Sequence, residues 1–118
     1  MANYIKNIIH EEPVNLAKQV AVLPGQVVSR TLAQNAALSL TLFAFDKGEE
    51  ISTHASHGDA LVHVLEGEGT FTVDGEAHAV KAGEALVMPA GKPHAVFASQ
   101  AFKMLLTVIF PLETGKEG

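Results

Sequence analysis

The sequence predicts an all-β domain. Short apolar runs alternate with turn signals, and no long segment shows the period of an amphipathic helix. Strands and turns at this spacing are typical of a sandwich or a barrel. The chain has 118 residues, of which 47% are hydrophobic. That length fits one domain, residues 1–118, and that composition is enough to fill a core.

Eight strands are predicted where apolar runs lie between turn signals, at residues 27–33, 36–45, 61–65, 70–73, 76–80, 85–88, 95–98 and 102–110. They place the barrel core at about residues 26–111. Between the fourth and fifth, Asp74-Gly75 predicts a hairpin, because a two-residue type I′ turn needs positive φ at both central residues. The segment 12–17 is open between a short helical turn and an edge strand lent to a neighbour. The polar tail at 113–118 is expected to be frayed.

Charge and composition exclude several classes of function. The net charge is −5 and the eight Lys and Arg residues are scattered, so the chain lacks the basic stripe that nucleic acid or anionic lipid needs. No cysteine is present, which excludes disulfides, thiolate metal sites and thiol nucleophiles. No window approaches the roughly 20 apolar residues of a membrane span. The start, Met-Ala-Asn-Tyr-Ile-Lys, is not of signal-peptide type, so we expect a cytoplasmic protein.

Two spaced motifs contain the candidate site residues. The first begins at Gly48, reaches His54 after five intervening residues and ends at residues 64–69. The second begins at Gly83, and its remaining motif positions are Pro89, Gly91 and His94. Glycine suits the tight turns at the start of each motif because it adopts positive φ without strain.

These motifs resemble the two signature motifs of the cupin superfamily, with the short separation usual for small single-domain bacterial cupins of the conserved-barrel cupin-2 type. The resemblance implies a double-stranded β-helix, also called a jelly-roll barrel. It also implies a homodimer, since small cupins commonly pair and often exchange an N-terminal strand. We therefore expect His54 and His94, one from each motif, to approach each other inside the barrel.

The resemblance to metal-binding cupins implies a ligand set that this chain holds only in part. His54 and His94 match, but Ser56 and Ala60 stand where the family has a second histidine and a glutamate. His57 lies one residue past the usual second position, and a one-residue shift along a regular strand turns a side chain to the other face. A bulge or loop at residues 56–58 would bring it back. The predicted metal ligands are therefore His54, His57 and His94, whereas His63 is predicted to lie on the outer face of its strand.

Two functions remain open on these residues. In the first, three imidazoles hold a divalent transition metal, Zn, Fe, Ni, Mn or Cu, in an enzyme of dioxygenase, isomerase or epimerase-like type that acts on a small molecule. In the second, the barrel has no chemistry and binds or senses a small apolar or carbohydrate-like ligand in the same cavity. No residue pattern identifies a catalytic group or a substrate, because one fold can host many reactions.

Overall fold

The computed structural model describes residues 4–112, and this part of the chain contains nine strands. In chain order they are β1 (Val27–Gln34), β2 (Leu38–Phe45), β3 (Glu50–His54), β4 (Asp59–Glu66), β5 (Glu68–Val73), β6 (Glu76–Lys81), β7 (Ala85–Met88), β8 (His94–Phe97) and β9 (Phe102–Ile109). No α-helix occurs among the described residues, which confirms the all-β class. The fraying expected at 113–118 falls outside them.

The strands are arranged in two antiparallel sheets that face each other. One sheet has the order β1-β2-β9-β4-β7 and the other the order β3-β8-β5-β6. The inward side chains pack into one apolar core, whose largest fully buried members are Phe45, Phe71 and Phe102. Neighbouring strands are mostly distant in sequence, as in a jelly roll, and the predicted double-stranded β-helix is confirmed.

A second apolar cluster lies on the outer face of the five-stranded sheet, under the N-terminal segment of residues 4–26. It contains Val20, Leu32, Leu42 and Ala44. Because β2 is covered on both faces, its second half, residues 42–45, is continuously apolar rather than alternating. In the segment 12–17, whose structure the sequence left open, residues 16–17 begin a 3-10 helix at Leu16–Gln19, and residues 12–15 are neither helix nor strand.

The turns that the sequence predicted at glycine and aspartate residues are present in the structure. Asp74 and Gly75 have φ of 52° and 85°, as a type I′ turn requires, and Val73 pairs with Glu76 across the hairpin. Gly48 and Gly83, which begin the two motifs, also have positive φ, at 88° and 91°. These turns set the strand registers that position the histidines.

Strand β3 was not predicted, and its composition explains why. It is an edge strand with one neighbour, β8, and Ile51 is its only apolar residue. Such a strand has no alternation of apolar and polar residues for the sequence to show. Its existence follows from pairing with β8, which is a tertiary contact.

Candidate functional site

A cavity of about 260 Å³ lies between the two sheets. Most of its wall is apolar, formed by Ile51, Ala60, Met88, Val96, Met104, Leu106, Val108 and Phe110. Its only polar lining side chains among the described residues are His54, Ser56 and His94. No Lys, Arg, Asp or Glu of the described chain lines it, so the cavity carries no fixed charge.

His54 and His94 meet at this cavity, as the sequence predicted. They are direct partners across β3 and β8, and their ring centroids are 4.3 Å apart with the planes at 69°. His94 is buried, with 3% of its surface exposed, whereas His54 is exposed. His54 therefore lies on the solvent side of the cavity and His94 lies in its interior.

A β-bulge in β3 turns His54 toward the cavity. Ile51 pairs with Val96 and His54 pairs with His94, so the interval on β3 is one residue longer than the interval on β8. On a regular strand residues 51 and 54 would face opposite sides. The extra residue places both side chains on the cavity face.

Backbone carbonyls determine which nitrogen of each ring is left as an acceptor. Nδ1 of His54 lies 2.9 Å from the carbonyl oxygen of Ser52, and Nδ1 of His94 lies 3.2 Å from that of Lys92. A carbonyl oxygen only accepts, so each Nδ1 carries the hydrogen and donates it. In the neutral rings this leaves each Nε2 with a free lone pair.

The surroundings of His94 favour its neutral form. Burial, and secondarily the nearby His54, hold the pKa of His94 below its usual value of 6.5, although the hydrogen bond with the Lys92 carbonyl opposes this. The imidazole is thus a neutral acceptor at ordinary pH.

His57 does not join the pair. It is exposed, does not line the cavity and lies beside Phe110, with ring centroids 6.2 Å apart. Hydrogen bonds hold its segment: Gly91 N–H donates to the Ser56 carbonyl at 2.9 Å, and Ser56 Oγ donates to the Gly58 carbonyl at 2.8 Å. Across residues 4–112, no three His, Asp or Glu side chains are grouped closely enough to hold one metal ion.

The positions that the motif comparison singled out do face the cavity. Ser56 and Ala60 line it beside the two histidines. Both positions therefore point toward the cavity, but they hold serine and alanine instead of the metal ligands that the resemblance implied. Asp59 is occupied elsewhere, since its carboxylate accepts a hydrogen bond from Ala90 N–H at 2.8 Å. His63 lies exposed on the outer face of β4, as predicted.

The sequence did not indicate which apolar residues line the cavity. Met88, Met104 and Phe110 come from β7, β9 and the chain just after β9. In the sequence they look the same as residues that fill the core. Met88 and Met104 belong to both groups, since they are buried core residues that also line the cavity.

A family model described as the cupin domain matches residues 41–110. The chain belongs to the cupin family. A search of curated proteins finds no match.

Solved structures agree with this assignment. A conserved protein of unknown function from Streptococcus pyogenes is 45% identical, with a TM-score of 0.92, covering 95% of this chain and 98% of that one. A cupin superfamily protein from Desulfitobacterium hafniense is 34% identical, with a TM-score of 0.86, covering 91% and 98%. A predicted oxalate decarboxylase from Thermotoga maritima, at 22% identity and a TM-score of 0.68 over 74% and 83%, shares the fold alone.

The described part of this cupin has no helix with the length and apolar character needed to cross a bilayer.

Proposed function

We propose that this cupin binds a small, mainly apolar molecule in the cavity between its sheets, as a binding or sensing barrel. The observation that supports this is the cavity itself: an apolar wall with three polar side chains, of which His54 and His94 are in contact with each other. Pockets that bind small molecules have this composition, in which apolar surface gives affinity and a few polar groups give orientation. A cytoplasmic homodimer is part of the proposal.

Filling the cavity tests the proposal. Ala60 is buried and lines the cavity, so Ala60→Leu places extra carbon atoms in the space the ligand would take. Indole, a small aromatic probe, should shift the NMR signals of cavity residues in the wild type and not in this variant. Ala77→Leu is the control, because Ala77 is exposed on β6. Equal indole binding by both variants would place the ligand elsewhere.

A metal-dependent enzyme is the second candidate, and the free Nε2 atoms of His54 and His94 favour it. Neutral imidazole suits Zn, Fe, Ni or Cu, whereas Mn prefers oxygen ligands. The two histidines alone fall short of the three protein ligands that catalytic zinc sites use. The residues present therefore do not fit a complete resident site. His57 would join them only after residues 55–58 gave up the hydrogen bonds described above.

Metal content measured on protein purified without a histidine tag tests this candidate. Metal in the wild type, reduced in both His54→Ala and His57→Ala, would support a three-histidine site. Reduction in His54→Ala alone would mean that the ion is held by the pair and water. His63→Ala is the control, since His63 lies on the outer face of β4. Protein without metal in every variant leaves the binding barrel as the function.

A further inference from the structure

The cavity presents hydrogen-bond acceptors and no side-chain donor. Its three polar side chains each own one hydrogen, and each gives that hydrogen to a backbone carbonyl. Nδ1 of His54 donates to Ser52, Nδ1 of His94 to Lys92, and Oγ of Ser56 to Gly58. Toward the cavity, the two imidazoles therefore offer only the lone pairs on Nε2.

Resting on the proposed function, we propose that the ligand is a neutral small phenol, whose hydroxyl donates to the Nε2 lone pairs of His54 and His94. The hydroxyl supplies the hydrogen that the cavity lacks. The ring centroids of the two histidines are 4.3 Å apart, so the rings are in contact and one donor placed beside the pair is near both of them. The aromatic body lies against the apolar wall.

Anions are the class that this arrangement rejects. A carboxylate has acceptors only, and it would face two further acceptors with no Lys or Arg among the lining residues. Burying a charge without a partner costs far more than burying a neutral hydroxyl that is hydrogen-bonded. The cavity therefore discriminates against small carboxylates of the same shape.

The wall and the volume favour an aromatic ring. Met88, Met104 and Phe110 line the cavity, and thioether sulfur and aromatic edges both make favourable contacts with a ring. A cavity of about 260 Å³ corresponds to roughly nine waters at about 30 Å³ each. That volume is large enough for a small aromatic molecule such as phenol or indole.

Three probes of nearly equal shape test the proposal: phenol, anisole and benzoate. Titrations followed by NMR are run at about pH 8, above the ordinary imidazole pKa of about 6.5. Phenol should bind, and anisole, which lacks the donor, should bind at least about fivefold more weakly, the effect of one hydrogen bond. Benzoate should show no binding in the range where phenol saturates. Benzoate binding as tight as phenol, or anisole binding as tight as phenol, would overturn the phenol assignment and leave a cavity that binds small molecules.

Variants locate the hydrogen bond. His54→Leu removes one Nε2 at a position exposed enough to tolerate the change, and it should reduce the preference for phenol over anisole. His63→Leu, on the outer face, should retain the wild-type preference. An unchanged preference in His54→Leu would overturn the role of that imidazole. If none of the three probes binds the folded wild type, and indole also fails, the proposed function falls together with the ligand class.

Discussion

At the scale of single residues, the site depends on which atom of each histidine is already occupied. His54 and His94 each bond through Nδ1 to the carbonyl two residues earlier, at Ser52 and Lys92. The motif spacing predicted that the two histidines would meet. It did not predict these carbonyl contacts, because they depend on the local backbone angles just before each histidine.

Acid should destabilise the fold through His94. Its pKa is held below 6.5 in the folded state, by burial and by His54, so the unfolded chain takes up the proton first as the pH falls. The stability that neutral His94 contributes is complete above about pH 6.5 and is lost as the pH falls from there toward the folded-state pKa. Thermal melting from about pH 8 to about pH 5 measures this.

The matched variant for this measurement is His94→Leu, which keeps an apolar side chain of similar size and has no group to titrate. Its melting temperature should fall less over the same acid range. A fall equal to that of the wild type would mean that other groups cause the pH dependence.

At the scale of elements, close approach of strands and loops decides where the candidate residues lie. The bulge in β3 places His54 on the cavity face, and the hydrogen-bonded segment 55–58 places His57 outside it. The sequence suggested a bulge or loop at residues 56–58 that would turn His57 inward, whereas the bulge lies between Ile51 and His54. The sequence could not show that the bulge precedes His54 rather than follows it, since both positions keep the same spacing of histidines.

Gly58 is required by the packing of segment 55–58 against the end of β9. A Cβ atom at this position would collide with the carbonyl oxygen of Ile109. Gly58→Ala should therefore lower the free energy of unfolding by about 1–3 kcal/mol, as overpacking does, and denaturant unfolding followed by circular dichroism measures the loss. Gly83→Ala, where the Cβ meets nothing within 4 Å and only the positive φ is strained, should cost less. A smaller loss at Gly58 than at Gly83 would contradict this packing.

At the scale of the whole molecule, two apolar clusters stabilise the fold on either side of the five-stranded sheet. The larger lies between the sheets and the smaller under the N-terminal segment. The sequence predicted the fold class and most strands, because turn residues and apolar runs are local signals. It could not predict that Val20 and Leu42 share a cluster, because that contact joins distant parts of the chain.

Removing metal should leave the barrel folded. Buried apolar side chains such as Phe45, Phe71 and Phe102 form a continuous core, and burial of that kind is the main source of stability. Thermal melting with and without a strong chelator should give the same midpoint. Unfolding of the chelated protein at room temperature would show that an ion is structurally required.

A mainly apolar row on the outer face of the five-stranded sheet supports the expected homodimer. Leu40, Thr107, Leu61 and Val87 are partners in turn across four strands, and Leu61 and Val87 are 41% and 53% exposed. Covering such a row with a second copy removes apolar surface from water. Sedimentation should give twice the chain mass of 12.5 kDa.

A double variant tests this surface. Leu61→Lys combined with Val87→Lys should shift the protein toward the mass of one chain without loss of the fold, since both side chains point away from the core. A wild type that sediments as one chain, or a double variant that still sediments as two, would contradict the assignment.

The position of β9 bears on how the chain folds while it is being synthesised. It is the middle strand of its sheet, between β2 and β4, yet among the described strands it is the last to be translated. Translation proceeds at about 5–20 residues per second. For several seconds, therefore, β2 and β4 each have one unpaired edge, the edge that later pairs with β9. A nascent chain in that state exposes sheet edges that other chains can join. This cupin should therefore depend on chaperones during translation more than a protein whose strands pair in the order they are made.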